Sequence, residues 1–208
     1  MLDISDLEPE DRLTHALGSI IRNDNFAEGE ARALFWALAA PGFGGALIPR
    51  DFARVLDGCR DMVKVSNLPE FPREVSLKVL SETGVAHRLR NVLTHDRWIH
   101  APEKKCDTWH SPRVESVPKG PRPTARTLAE FIAGSAALNR AGWQLRALWL
   151  ILPAWLGNHD ELEHIGDQRS WWTSVALGSF SASEGQGALN VTLVPSPEPP
   201  KLSGKRKT

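Results

Sequence analysis

The chain has few cysteines and no long apolar run. Its 208 residues include only Cys59 and Cys106, too few for the disulfide framework of a small secreted domain. The acidic amino terminus lacks the basic and then apolar order of a signal peptide. The most apolar stretch, residues 145–156, contains Arg146 and Pro153 and is far shorter than the ~20 residues of a membrane helix. We therefore expect no membrane segment and a cytoplasmic location.

Several familiar catalytic signatures are also missing. The sequence contains no glycine-rich phosphate loop, no Gly-x-Ser-x-Gly turn and no evident carboxylate pair of the glycosidase type. His95, His100, Cys106 and His110 are residue types that bind zinc, but their spacing matches no zinc-finger or ribbon pattern. We predict neither a metal nor a cofactor.

The chain has no net charge, yet its charge is unevenly distributed. With 25 basic and 25 acidic residues, it does not have the composition of a bulk electrostatic binder of nucleic acid. Residues 1–40 contain three basic and eight acidic residues, net −5, whereas residues 86–126 contain nine basic and four acidic residues, net +5. The positive segment would suit a phosphate-containing ligand. The alternative is that the acidic and basic segments simply neutralise each other.

Apolar residues recur at helical spacing along most of the chain, which predicts an all-α fold, an antiparallel bundle of about four main helices. The first helix starts at about residue 9 and stops before the glycine-rich residues 41–45, although Gly18, Gly29 and residues 23–25 are positions where it could bend or split. The second covers about residues 51–65. The third runs from near Pro72 to His95.

The fourth helix is predicted to begin after a capping box, in which Thr127 and Glu130 satisfy free backbone donors, and to end at Pro153. Between residues 98 and 126, prolines, glycines and short β-like runs predict an inserted loop or small β-hairpin. A short helix is expected within residues 161–177. We divide the chain into one helical domain, residues 1–178, and a weakly structured or disordered tail, residues 179–208.

The residues with the clearest chemical potential lie in one hexapeptide, residues 90–95, near the end of the third helix. On a helix Asn91 and His95 are one turn apart on the same face, whereas Arg90 and His95 project about 140° from each other. Arg90 must therefore reach around the helix to share a site with His95. Its guanidinium suits a phosphate, which accepts two parallel hydrogen bonds from it.

With Arg90, Asn91 and His95 in place, the hexapeptide resembles the Arg-x(4–6)-His motif of the HEPN superfamily, in which the second position is often Asn, Asp or His. The layout of residues 10–152 is similar as well: an apolar helix before the motif, then a Pro/Gly-rich excursion and a long apolar helix. Only the hexapeptide is specific enough to transfer. Asp96 departs from the pattern, because a small residue, often Gly, is expected there.

The resemblance implies a metal-independent endoribonuclease, in a toxin or defence context, that cleaves RNA by attack of a ribose 2′-hydroxyl on the neighbouring phosphate. His95 would take or give the proton at neutral pH. Arg90 would stabilise the extra charge on the transition state, and Asn91 would orient a phosphate or His95.

Three flanking residues are expected to bind the substrate. Arg88 and Arg97 would hold a phosphodiester backbone, although such arginines more often form a solvated charged face. Trp98, in the basic loop, would offer a ring on which a base can stack.

Two alternatives belong to other functional classes. One is a non-catalytic nucleotide-binding or dimerisation module that keeps the same three residues. The other is an antitoxin-like or scaffold partner of another protein. For the nuclease we expect a homodimer in which two copies of the hexapeptide line one cleft, because a single helix makes a poor clamp and isologous pairing is the commonest route to oligomers. HEPN relatives are similar in this respect.

Overall fold

Helices make up most of the computed structural model of this protein, which describes residues 6–39, 48–101, 107–115, 122–157, 168–177, 181–185 and 188–192. These residues form five helices and five strands. The helices are α1 (Pro9–Leu38), α2 (Phe52–Val65), α3 (Glu70–His95), α4 (Leu128–Gly157) and α5 (Gln168–Leu177). The predicted all-α class is thereby confirmed, with two small sheets in addition.

The first helix is continuous, although the sequence offered places where it could break. It begins with Pro9 and carries Glu10 and Asp11 in its first turn, where the helix dipole favours negative charge. The polar stretch at its centre is held by tertiary contacts instead of bending the helix. Asn23, which is buried, donates from Nδ2 to the backbone oxygen and the hydroxyl of Ser135 in α4, at 3.1 and 2.9 Å.

Side-chain caps fix the beginnings of α2 and α4. The Asp51 carboxylate accepts from the backbone N–H of Arg54 at 3.1 Å. The predicted capping box is present, since the Thr127 N–H donates to Glu130 Oε2 at 2.7 Å and the Glu130 N–H to Thr127 Oγ1 at 3.4 Å. Partial burial raises the pKa of Glu130, but hydrogen bonds from Thr127 and Arg126 and the charge of Arg126 outweigh it, so the net pKa is lowered.

The prediction that the fourth helix stops at Pro153 is wrong, because α4 continues to Gly157. A proline inside a helix removes one backbone hydrogen bond and causes a local clash, which can kink a helix without ending it. Leu148, Ile151 and Leu152, immediately before it, are buried in the core. Their packing compensates for the lost hydrogen bond.

The third helix packs against the other four helices and runs antiparallel to α1, α2 and α4. Along α2 and α3, Phe52 meets His87 and Arg60 meets Leu80, an order that makes the two helices antiparallel. The first halves of α1 and α4 pack near the end of α3, and their second halves pack near its beginning. The end of α3 that carries the hexapeptide therefore packs against the early turns of α1 and α4.

Two buried clusters divide the core along α3. The larger joins α2, α5 and the early turns of α3 to the later turns of α1 and α4. The smaller joins the end of α3 to the early turns of α1 and α4, and it includes a tryptophan from the inserted sheet. Its buried members are Leu13, Ala16, Ile20, Ala86, Leu93, Trp109, Phe131 and Leu138. The hexapeptide is attached to this smaller cluster through Leu93.

The insertion between α3 and α4 is a three-stranded antiparallel sheet of β1 (Ile99–His100), β2 (Thr108–Glu115) and β3 (Arg122–Thr127), in that order. It contains the predicted hairpin as β2 and β3, whose register shifts between Ser111 and Val114. Trp109 of β2 is 1% exposed, and it anchors the sheet to the smaller cluster.

The described residues after α4 form one helix and one hairpin. The predicted short helix is present as α5, while residues 161–167 lie outside the described residues. Strands β4 (Ser181–Gly185) and β5 (Ala188–Thr192) form an antiparallel hairpin within the segment predicted as weakly structured, residues 179–208. Residues 193–208 are outside the described ranges. No described helix combines the length and the apolar character needed to cross a bilayer.

Candidate functional site

The hexapeptide forms the last turns of α3, and its helix end is firmly held. His95 is the final helical residue, and Asp96 turns the chain into an extended conformation, with φ −86° and ψ 149°. Leu93 is 1% exposed and packs closely on α4, where a Cβ at Gly134 would lie 3.0 Å from its Cδ1. The Trp98 indole N–H donates to the Leu93 carbonyl at 2.7 Å, which satisfies a backbone acceptor that the helix leaves free.

Arg90 reaches around the helix, as its position required, and meets His95 within one chain. Its Nη1 donates to Asn91 Oδ1 at 2.9 Å and lies 3.5 Å from His95 Nε2, the outer limit of a hydrogen bond. His95 is exposed, and the side chain of Arg90 is 22% exposed. Among the described residues, Nη2 of Arg90 has no hydrogen-bond partner. A guanidinium and an imidazole thus lie side by side at the end of α3.

The side chain of Asn91 contacts Arg90 and His87. We predicted that it would orient a phosphate or His95, which follows it by one turn. Its amide instead contacts Arg90 through Oδ1, and its Nδ2 lies 3.4 Å from Nε2 of His87, one turn earlier. In this arrangement Asn91 orients the guanidinium.

Two residues that sequence reasoning missed complete the cluster: His87 of α3 and Asp24 of α1. Nδ1 of His87 lies 2.9 Å from Oδ1 of Asp24, and Nε of Arg90 lies 3.1 Å from the other oxygen, Oδ2. The second contact is an ion pair, because the N–H of Nε does not point at the carboxylate and forms no hydrogen bond within the described part of the chain. Only 3% of the Asp24 side chain is exposed.

A buried carboxylate is costly unless charges and donors compensate for it. Asp24 obtains both, from Arg90 and from His87. The sequence did contain a signal for it, since Asp24 lies on the apolar stripe of α1, four residues after Ile20 and three before Ala27, where a charged residue is unexpected. The signal for His87 was its position one turn before Asn91.

The three predicted substrate-binding residues differ in their surroundings. Arg88 and Arg97 are exposed on either side of the hexapeptide. Trp98 is half-buried, with its ring edge-on to Phe131 at a centroid distance of 5.2 Å and its N–H already bonded. This placement favours a packing role for Trp98 and leaves the arginines as the groups open to a ligand.

Ion pairs distribute the acidic residues of α1 among several partners. Asp24 pairs with Arg90 of the hexapeptide, while Glu30 lies 3.3 Å from Nε of Arg146 in α4. The acidic helix α1 therefore neutralises part of the positive segment, residues 86–126. It does so through the buried carboxylate of Asp24. Arg88 and Arg97 have no ion-pair partner among the described residues.

The residue types that bind metals are not gathered in the described ranges. No group of three or more His, Cys, Asp or Glu side chains there lies close enough to hold an ion, and Cys106, one of the four residues weighed, falls outside those ranges. Burial raises the pKa of the other cysteine, Cys59, to about 12, so this thiol is poorly suited to nucleophilic chemistry.

Comparison with known proteins identifies no relative. No protein-family model, curated protein or solved structure matches the chain.

Proposed function

We propose that this chain is a metal-independent endoribonuclease of the HEPN type, with Arg90, Asn91 and His95 as its active-site residues. The observation that supports this most is the 3.5 Å separation of Arg90 Nη1 and His95 Nε2 at the exposed end of α3. One phosphate group can contact both side chains at that spacing. The test is RNA cleavage by the purified protein in the presence of a chelator.

The proposed reaction is an attack of the ribose 2′-hydroxyl on the adjacent phosphorus. As the bond from O2′ to phosphorus forms and the bond from phosphorus to O5′ breaks, Nε2 of His95 removes the proton from the 2′-hydroxyl. The departing 5′-oxygen takes a proton from water or from a second imidazole. The products are a 2′,3′-cyclic phosphate and a 5′-hydroxyl, and the balance requires no metal and no oxidant.

Arg90 would contribute electrostatic stabilisation. Negative charge accumulates on the phosphate oxygens in the transition state, and Nη2 of Arg90 is the donor available to them. A fixed donor of this kind typically contributes ~10²- to 10³-fold in rate, and general acid–base catalysis ~10²- to 10⁴-fold. Because Asp24 partly balances the charge of Arg90, the guanidinium acts as an oriented donor as much as a bare cation.

Substrate binding is assigned to the exposed arginines on both sides of the hexapeptide. Arg88 and Arg97 would contact neighbouring phosphates and set the register of the RNA strand without reading its bases. We propose a cytoplasmic location, a toxin or defence setting and an antitoxin-like protein partner on the resemblance alone.

The dimer is proposed from the outer face of α3. Val85 and Val92 are 56% and 36% exposed, and because they are seven residues apart they share one face of the helix, on which Val92 belongs to the hexapeptide itself. An isologous contact through these valines would bring two hexapeptides together and supply the second imidazole. The expectation that a single helix makes a poor clamp supports the dimer less strongly, because Arg90 reaches His95 within one chain.

Mixing inactive variants tests whether a site draws on both chains. After subunit exchange between Arg90→Ala and His95→Ala proteins, random pairing makes half of the dimers mixed. A site that takes Arg90 from one chain and His95 from the other would be intact once in each mixed dimer and predicts recovery of cleavage to about a quarter of the wild-type rate. Light scattering provides the control for dimer formation. A monomeric mass at tens of micromolar protein would refute the dimer, and a dimer without recovery would confine each site to one chain.

A second candidate, the non-catalytic nucleotide-binding module, is favoured by one observation. The ion pair of Asp24 with Arg90 reduces the positive charge available for a phosphorane-like transition state, whereas a ground-state nucleotide needs less of it. Nucleotide binding that depends on Arg90, without cleavage of any RNA, would identify this alternative.

A further inference from the structure

We propose that Asp24 and His87 are positioning residues that fix the amide of Asn91 and, through it, the guanidinium of Arg90. Their effect on catalysis depends on the proposed nuclease function. The assignment of donors and acceptors among these side chains does not depend on that function, and it can be measured without RNA.

Arg90, Asn91, His87 and Asp24 form a series of contacts. Its two end residues, Arg90 and Asp24, fix which atoms donate and which accept. A guanidinium can only donate, so Asn91 must present its oxygen, Oδ1, to Nη1 of Arg90 at 2.9 Å. The amide nitrogen Nδ2 of Asn91 then faces Nε2 of His87 at 3.4 Å, and because an amide nitrogen also only donates, Nε2 must carry the lone pair.

The contact of His87 with Asp24 independently gives the same tautomer of His87. An ionised carboxylate only accepts, so the proton of the neutral imidazole must sit on Nδ1 of His87, which donates to Oδ1 of Asp24 at 2.9 Å. One tautomer therefore satisfies both contacts of His87. Its ring is held from the side of α2 as well, where Phe52 packs edge-on with centroids 4.7 Å apart.

Any other state of His87 breaks the sequence of contacts. A proton on Nε2 would face the N–H groups of Asn91 Nδ2, placing two donors against each other. Rotating the amide to relieve this would turn Nδ2 toward Nη1 of Arg90, again donor against donor. Arg90 would then lose its hydrogen bond to Asn91, so the tautomer of His87 controls one of the contacts that orient the guanidinium.

Burial assigns these two residues a positioning role. The side chain of Asp24 is 3% exposed and that of His87 is 18% exposed, compared with the exposed imidazole of His95. Asp24 acts at two points, through His87 and through its contact with Nε of Arg90 at 3.1 Å. Neither residue needs to touch the RNA.

The tautomer of His87 can be read directly by nitrogen-15 NMR of the imidazole rings. In the wild-type protein, above the pH range in which imidazoles titrate, we expect His87 to carry its proton on Nδ1 and to show a bare Nε2. Asp24→Ala should produce a mixture of tautomers, whereas His15→Gln, a change of an exposed histidine, should leave the His87 signals unchanged. A wild-type His87 protonated on Nε2 would overturn the proposal, whatever the RNA assay shows.

A pair of substitutions separates the two contacts of His87 in the cleavage assay. Glutamine can place an acceptor near the position of Nε2, whereas asparagine reaches only the position of Nδ1. We expect His87→Gln to retain most of kcat, and His87→Asn to lose about 10- to 100-fold in kcat with little change in KM, since misplacing a catalytic group has that effect. Equal loss in both variants, or a loss confined to KM, would contradict a positioning role. If the wild type cleaves no RNA, the proposed function fails while the NMR result still decides the hydrogen-bond order.

Discussion

Replacing Arg90 or His95 by alanine is expected to lower the rate of chelator-resistant RNA cleavage by at least ~10²-fold, because each change removes one of the two groups that act on the transition state. His95 is exposed at the helix end, so His95→Ala should leave the fold intact. Arg90→Ala also removes a partner of buried Asp24, so circular dichroism must accompany it. The rate is measured on a fluorescent RNA with excess EDTA.

The matched control for Arg90 is Arg88, an arginine two residues away that is exposed on the same helix. Arg88→Ala should raise KM and leave kcat nearly unchanged, since it removes ground-state contact with phosphate. Unchanged cleavage in both Arg90→Ala and His95→Ala would mean that the activity belongs to another site or to a contaminating nuclease.

Phe131→Ala is expected to lower the free energy of unfolding by ~3–5 kcal/mol, as for other fully buried aromatic residues cut back to alanine. The ring is 0% exposed and packs edge-on against Trp98 and Trp109, at centroid distances of 5.2 and 6.1 Å. Because Trp98 also bonds the Leu93 carbonyl, the cavity would loosen the end of α3 as well as the core.

The neighbouring residue provides the control for this substitution. Ile132 follows Phe131 on α4 but is 45% exposed, and Ile132→Ala should change the free energy of unfolding by no more than ~0.5 kcal/mol. Denaturant unfolding measures both variants. A loss below about 1 kcal/mol for Phe131→Ala would show that the smaller cluster does not hold the helix end as described.

Most of the helical fold was predictable because its signals are local. The apolar period of α1 and the capping box at Thr127 depend on residues a few positions apart, and their predicted positions agree with the structure. The exceptions depend on context. Pro153 is a strong local stop signal, but packing of the preceding turn carries α4 through it.

The candidate site also has a part that local sequence predicts and a part that depends on long-range contacts. Asn91 and His95 are one turn apart on one helix, so their shared face could be inferred from spacing, whereas the contact of Arg90 with His95 depends on the reach of the arginine side chain around the helix. Asp24 is 63 residues before His87, and nothing local indicates that α1 presents it to the end of α3. That long-range contact also explains why Asn91 turns toward His87, a choice that helical geometry alone leaves open.

The end groups of cleaved RNA test the central claim most directly. A defined oligonucleotide is incubated with the protein and EDTA, and its fragments are analysed by mass spectrometry. Attack by the 2′-hydroxyl predicts a 2′,3′-cyclic phosphate on one fragment and a 5′-hydroxyl on the other, with no cleavage where a single 2′-deoxy nucleotide replaces the attacking ribose. Fragments that carry a 3′-hydroxyl and a 5′-phosphate, or the absence of cleavage across diverse RNAs, would contradict it.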